Sequence, residues 1–436
     1  MGRSAFDTLR TMSLSKGDEA GHADSRSSVR QKMSLASSFA YALPYVRSFF
    51  PTAKFEPLHL IAMKSRCFAG VFAVLCLGPI HAIAADMFVY FGSHRAGPGI
   101  GFSLAHFDTD TGVLTKPEFL LDAVAPAFFQ IHPDGQHLYT CNSGRTGGVS
   151  AYALDPHTGR LTYLNRTLAN GADTSYLSLD RTGRYALVAN YEGGNIAAFA
   201  LKPDGSIGDW TAFVQHTGSS LNPQRQSHAY AHSIITDPTN RFALVADLGV
   251  DKIYVYRFNE KDGTLKPHDP AFVGVAPGSG ARHVKFHPNG RWVYLINEIA
   301  STVIAFNWDS AAGRLAEFQT ISTLPADFKG ANATAELEVH PNGKFIYGSN
   351  RGHDSLVAFA IDADSGRLSL VAHVSSGGKT PRNFAFDPTG KWIVCTNHGS
   401  DNAAVFRVDE TSGQLTPTGQ PVSVPYPFCE RFVPVR

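Results

Sequence analysis

Six copies of one unit run along this chain, and they restrict the possible folds more than any other feature. Each copy is an apolar strand, a tight turn, and a second strand ending in Asn or Asp. The copies read FFQIHPDGQHLYTCN, YLSLDRTGRYALVAN, SIITDPTNRFALVAD, HVKFHPNGRWVYLIN, ELEVHPNGKFIYGSN and NFAFDPTGKWIVCTN. Their last residues are Asn142, Asn190, Asp247, Asn297, Asn350 and Asn397, spaced 47 to 57 residues apart. In most turns Pro sets φ at the first corner, and Gly or Asn supplies the left-handed position. A third strand and a second turn follow, as in VSAYALDPHTGRL and LVAFAIDADSGRL, and then a fourth strand. Four antiparallel strands at this period are the signature of a β-propeller blade, a unit that buries its faces only by stacking on its neighbours. No apolar run keeps a 3.6-residue period between caps, so the fold class is all-β.

The chain ends complete the count. MFVYFGS reads as a second strand lacking its first, and IGFSLAHFDTDTGVL supplies the third strand and its turn. PFCERFVPV, at the other end, reads as a first strand lacking its second. Joined, they make a seventh blade, and the closed ring hides sheet edges that would otherwise pair with other chains. The expectation is one seven-bladed domain over residues 86–436. In such a blade the start of strand one, the end of strand two and the start of strand three share one face. The HPxG and DxxTG turns share the other. Long, varied loops such as VQHTGSSLNPQRQSHAYAH and LPADFKGANATA fall on the first face, where a site is expected.

Ahead of the repeats stands MKSRCFAGVFAVLCLGPIHAIAADMF. Lys64 and Arg66, an apolar stretch from Cys67 to Ile80, and Ala82-Ile83-Ala84 make the three parts of a secretory signal peptide. The apolar stretch is too short, and too interrupted by Gly78 and Pro79, for a membrane span. Residues 63–85 are therefore expected to be a signal peptide. Residues 1–62 would be a disordered leader or an extension upstream of a true start at Met63. The mature protein would be periplasmic or secreted, and cytoplasmic only if the signal is unused. A net charge of +1 without a basic cluster argues against nucleic acid as a partner. Cys141, Cys395 and Cys429 match no metal spacing, and an odd number cannot form a full disulfide framework, so burial is expected for each. A monomer without cofactor, metal or membrane attachment is expected.

Aligning the first strands on their turns gives a column of Ala127, Ser175, His232, Arg282, Ala335, Arg382 and Phe428. The next column holds Phe128, Tyr176, Ser233, His283, Glu336, Asn383 and Cys429. The residues following the second strands are His94, Ser143, Tyr191, Leu248, Glu298, Arg351 and His398. One channel mouth thus gathers His232, Arg282, Arg382, Arg351, Glu298, Glu336 and His398. Strand alternation should turn some of these into the blades. Taken singly, His398, His283, His94 and Arg351 read as structural, and an Arg–Glu pair that only fixes register is the competing reading. His232, Arg282 and Glu298, from adjacent blades three and four, make the tightest grouping.

These residues carry a resemblance. GARHVKFHPNGRWVYLINEIASTV resembles the GPRH–FHP–G–Y–NELxSTV signature of the 6-phosphogluconolactonase-like propeller family, which includes 3-carboxy-cis,cis-muconate lactonizing enzymes. SLNPQRQSHAYAHSI, DPTNRFALVADLGVDKI and KTPRNFAFDPTGKWIVCTNHGSDN are similar to the same family, and the likeness spans about residues 87–436. It implies a seven-bladed propeller with a His, an Arg and a Glu at the channel mouth, which here are His232, Arg282 and Glu298. The sequence departs from the pattern at Tyr230 and Tyr176, where the family has His, and at Ala281, where it has Pro.

What the resemblance implies is hydrolysis of a sugar-type lactone, of the gluconolactone or 6-phosphogluconolactone class. Glu298 or His232 would act as base and Arg282 as clamp for the oxyanion or a carboxylate. Arg382, Glu336, Tyr176 and His398 are candidate substrate contacts. Cycloisomerase-type lactonization by the same trio is an alternative, and a secreted propeller that binds without turnover is another.

Overall fold

The computed structural model describes residues 86–436; the expected leader at 1–62 and signal peptide at 63–85 lie outside the described residues. Twenty-eight strands form seven four-stranded antiparallel sheets, each inner strand facing those of the two neighbouring sheets around a ring. No helix occurs among the described residues. Blades 1 to 6 span residues 126–167, 174–215, 231–274, 281–322, 333–375 and 381–423. The seventh takes its inner strand from Pro427–Pro434 and its other three from Asp86–Gly97, Ile100–Asp108 and Glu118–Asp122. The two chain ends pair antiparallel, from Met87 opposite Pro434 to Gly92 opposite Cys429. The ring closes as the two unpaired end strands require.

Second strands such as Tyr185–Asn190 and Trp292–Asn297 are buried along their whole length, because both faces of the blade meet a neighbour. Their apolar side chains form clusters between adjacent sheets. Outer strands such as Leu161–Thr167 alternate or open to solvent. The turns follow their residues. Gly290 and Asn240 hold φ of 70° and 59°, the left-handed position that closes the hairpin.

Neighbouring blades are also pinned at the turn face. The Tyr90, Tyr139, Tyr294 and Tyr347 hydroxyls donate to the carbonyls of Gly159, Gly205, Gly366 and Gly413, each in the next blade, at 2.8–2.9 Å. His132, His287 and His340 place Nε2 2.7–2.9 Å from the carbonyls of Gly183, Gly343 and Gly390. Each such bond contributes about 1 kcal/mol, and losing a donor would strand a buried carbonyl. Cys141, Cys395 and Cys429 are free thiols, buried as expected.

One irregularity recurs in every inner strand. In blade 3, Ala231 opposes Asp247 and Ser233 opposes Ala246, leaving His232 as an extra residue. In blade 4 the extra residue is Arg282, and in blade 6 it is Arg382. The same shift falls at Ala127, Ser175 and Phe428, and within Ala335–Glu336 in blade 5. A β-bulge breaks the two-residue alternation and re-aims a side chain. Consecutive residues of the inner strand therefore serve one channel at two depths.

Candidate active site

The upper layer is a polar cavity of about 200 Å³, lined by Asp173, Ser175, Tyr191, Arg225, His232, Arg282, Glu298, Arg351 and Arg382. His232 and Arg282 are bulge residues of adjacent blades, 4% and 2% exposed. The Arg282 Nε–H donates to the Ala335 carbonyl at 2.9 Å, which fixes the guanidinium plane. Its Nη1 donates to Glu298 Oε2 at 2.9 Å and to His232 Nε2. Glu298 follows Trp292–Asn297, anchored where its own N–H donates to the Gly280 carbonyl at 2.7 Å.

Three arginines converge on that one carboxylate. Besides Arg282, Arg351 Nη2 lies 2.9 Å from Oε2, and Arg225 pairs with Oε1 from the loop before blade 3. Burial alone would raise the Glu298 carboxyl. Arg351, Arg282, His232 and Arg225 outweigh it and hold the group well below its usual range. Glu298 is thus a fixed anion, saturated with donors, and a poor base. His232 is uncharged instead. Burial, then Arg282 and His283, press its pKa well below the usual histidine value, so the ring is neutral at pH 7. Arg282 donates to Nε2, and the buried Nδ1 has no hydrogen-bond partner among the described residues. Arg282 itself is lowered by burial to about 10, with Glu298 opposing, and stays a cation at neutral pH.

Arg382 stands apart. Its guanidinium lies 3.9 Å over the Phe428 ring, it lines the cavity, and no carboxylate or hydrogen-bond acceptor pairs with it among the described residues. Burial and then Arg282 and Arg351 push its pKa well down, the mark of a cation lacking its counter-charge. Four guanidinium groups face the carboxylates of Glu298 and Asp173, so the cavity carries excess positive charge.

The second column forms a lower layer that seals the bore. Phe128 stacks on Tyr176 with centroids 4.3 Å apart, and Tyr176 meets His283 edge-on at 5.0 Å. His283 Nδ1 bonds Glu336 Oε1 at 2.8 Å, and Asn383 donates to Oε2 of the same carboxylate. Arg431 donates to Asn383 Oδ1 at 3.0 Å and lies 4.8 Å from the Phe128 ring, closing the circle. Phe128, Tyr176, His283, Glu336 and Asn383 are each at most 5% exposed.

Five residues expected at the mouth, His232, Arg282, Glu298, Arg351 and Arg382, therefore meet in one cavity. Tyr176 and Glu336 do not join them, since they belong to the girdle below. Tyr176 also borders a separate recess of about 420 Å³ at the opposite end of the bore, beside Lys285. His398 lies off to the side, edge-on to His94 at 4.4 Å and to Phe428 at 5.3 Å. Arg225 and Asp173 were not singled out from the sequence, because they sit on interblade loops outside the repeat frame. Tyr191 and Ser175 stood in the aligned columns, and only their proximity to the trio marks them.

A family model described as "Lactonase, 7-bladed beta-propeller" matches residues 88–432. A 6-phosphogluconolactonase of Bacillus subtilis is 34% identical over 345 residues, covering 79% of this chain and 97% of that protein. A 6-phosphogluconolactonase of Serratia proteamaculans is 33% identical over 282 residues, covering 64% of this chain and 80% of that one. Among solved structures, the periplasmic gluconolactonase of Pseudomonas aeruginosa superimposes with a TM-score of 0.77 at 33% identity, covering 81% of this chain and all of that one.

Proposed function

The chain belongs to the seven-bladed β-propeller lactonases and is a lactone hydrolase of the 6-phosphogluconolactonase-like kind; we propose that it opens a sugar lactone in the arginine-lined cavity at the channel mouth. The observation that carries this reading is a neutral His232 beside a guanidinium, Arg282, whose orientation is set by Ala335 and Glu298. The lactone carbonyl lies against Arg282, which displaces its bond to His232 toward the substrate. His232 then takes a proton from the attacking water as the new C–O bond forms. Arg282 stabilises the oxyanion, a role that suits a donor held in place before reaction. As the tetrahedral intermediate collapses, the ring C–O bond breaks and the proton held by His232 passes to the leaving alkoxide. The hydroxy acid formed releases one proton to solvent at neutral pH. Glu298 does not exchange protons in this scheme; it holds Arg282, Arg351 and Arg225 in place.

Arg382 sets the substrate class. An unpaired guanidinium in the cavity suits a carboxylate or phosphate bidentately. The test measures proton release by the purified protein on δ-gluconolactone and on 6-phosphogluconolactone. Turnover of either, lost in Arg282→Ala with folding intact, supports the reading. No turnover of either by the folded protein would overturn it. The secretory pattern from Met63 and the periplasmic Pseudomonas relative support export, which N-terminal sequencing of the protein from fractionated cells would check by finding a start near Ala85.

A further inference from the structure

The turn of blade 1 differs from its five counterparts in a way the lactonase site does not use. Where the second strand begins, blades 2 to 6 carry the aromatic rings of Tyr185, Phe242, Trp292, Phe345 and Trp392, blade 7 has Phe88 at the matching position, and each ring packs under a glycine of the following blade. Blade 1 has His137 in that seat, its ring under Gly205. At the turn, blades 2 to 6 carry Thr182, Thr239, Asn289, Asn342 and Thr389, all neutral, where blade 1 has Asp134. Two departures from the repeat thus fall side by side, next to His132.

The three side chains converge. Asp134 Oδ2 lies 2.9 Å from His132 Nδ1 and 2.8 Å from His137 Nδ1, and one donor atom from each residue falls within 4.8 Å of the others. Nε2 of His132 faces the Gly183 carbonyl at 2.9 Å, and a carbonyl can only accept, so that nitrogen carries the ring proton. Nδ1 then faces the turn, accepting from the Asp134 N–H at 3.3 Å. The same tautomer serves His287 and His340, but there the neighbours are the amides Asn289 and Asn342. In blade 1 Nδ1 also faces a carboxylate oxygen, so imidazole and carboxylate donors of metal-ligating type share one opening. A ring whose far N–H is held by a backbone carbonyl is also how a protein orients a metal-binding histidine.

We propose that His132 Nδ1, Asp134 Oδ2 and His137 Nδ1 form a surface site for a divalent borderline metal ion of the zinc type. Imidazole and carboxylate donors suit Zn²⁺ at about 2.0–2.2 Å, which sets tetrahedral donors roughly 3.4 Å apart. That spacing falls between the observed hydrogen-bond contacts and the outer limit of the cluster, so small side-chain rotations create it. The side chains are 20%, 31% and 17% exposed, which leaves the fourth position to water. Arg436, whose guanidinium reaches the Asp134 carbonyl at 3.4 Å, lies beside the turn and tempers the affinity. The spacing His132-x-Asp134-x-x-His137 is no standard metal motif and becomes a cluster only when the turn folds.

The sister blades supply the test variants. His137→Phe and Asp134→Asn each install a residue that the same position holds in another blade, so both should fold, checked by melting in EDTA. Full-length protein stripped with EDTA is titrated with ZnCl₂ by calorimetry, with melting followed alongside. One equivalent should bind the wild type and raise its melting temperature, and either substitution should weaken that binding tenfold or more. If the wild type takes up no zinc, or if His137→Phe binds it as tightly as wild type, the site is a hydrogen-bonded cluster only and the proposal fails.

Discussion

Replacing Glu298 by Gln keeps the shape of the side chain and removes the charge on which three arginines converge. The Arg282 and Arg351 side chains are 3% and 15% exposed and Glu298 is 5% exposed, so these pairs are buried; Arg225, at 40%, is screened and contributes little. Removing one partner of a buried pair costs about 3–5 kcal/mol, and because Gln retains one accepting oxygen the lower end applies, about 3 kcal/mol. At roughly 2–4 °C per kcal/mol for domains somewhat smaller than this one, the melting temperature should fall by at most about 6–12 °C. The deficit should depend on pH in a defined direction. The Glu298 carboxyl is depressed in the folded state, so its contribution is complete above the unfolded value of 4.5 and is lost as pH falls through the folded one. Thermal scans of both proteins from pH 7 to pH 3 should show a full gap near neutrality that narrows below about pH 4.5. A gap of the same size at pH 3 and pH 7, or a variant as stable as wild type, would refute the account of Glu298 as the anion that organises the arginines. Turnover should fall about 10²-fold or more at pH 7, because Arg282 loses its fixed orientation.

Arg382→Met should weaken kcat/KM for 6-phosphogluconolactone by about 1.5–3 kcal/mol, or roughly 10–150-fold, and far less for δ-gluconolactone; equal losses on both substrates would remove Arg382 as the anion contact. His232→Gln should lower kcat by about 10²–10⁴-fold with little change in KM, measured by proton release under saturating substrate. Deleting residues 427–436 should remove the inner strand of blade 7 and expose the edge of Asp86–Gly97, seen as aggregation or loss of the cooperative thermal transition.

The ring could be read from the chain because each blade repeats the same turn chemistry, and the unmatched strands MFVYFGS and PFCERFVPV leave one way to complete the count. His232, Arg282 and Arg382 could be placed at the mouth because they share a column. Depth along the channel was not legible. Tyr176 stands one position after the pocket residue Ser175, and Glu336 one after Ala335 of the same column, and only the pairing register shows that a bulge separates the two layers. A bulge is a relation between two strands and leaves no mark within one of them. Arg225 escaped for another reason. It lies among the loop residues 216–230, where no repeat aligns it, and its ion pair with Glu298 exists only because the loop folds back over the mouth.

Phe128, Tyr176, His283, Glu336 and Asn383 close the bore beneath the pocket, and Arg225, 40% exposed, stands on its solvent side. On the proposed reaction, ester cleavage would create a new negative charge beside Arg282 and Arg382, so the acid formed should be held more tightly than the lactone, which carries one charge fewer. Accumulated aldonate should therefore compete for re-entry, raising apparent KM at constant kcat, and in the cell the pace of the enzyme would follow how quickly the acid is carried away.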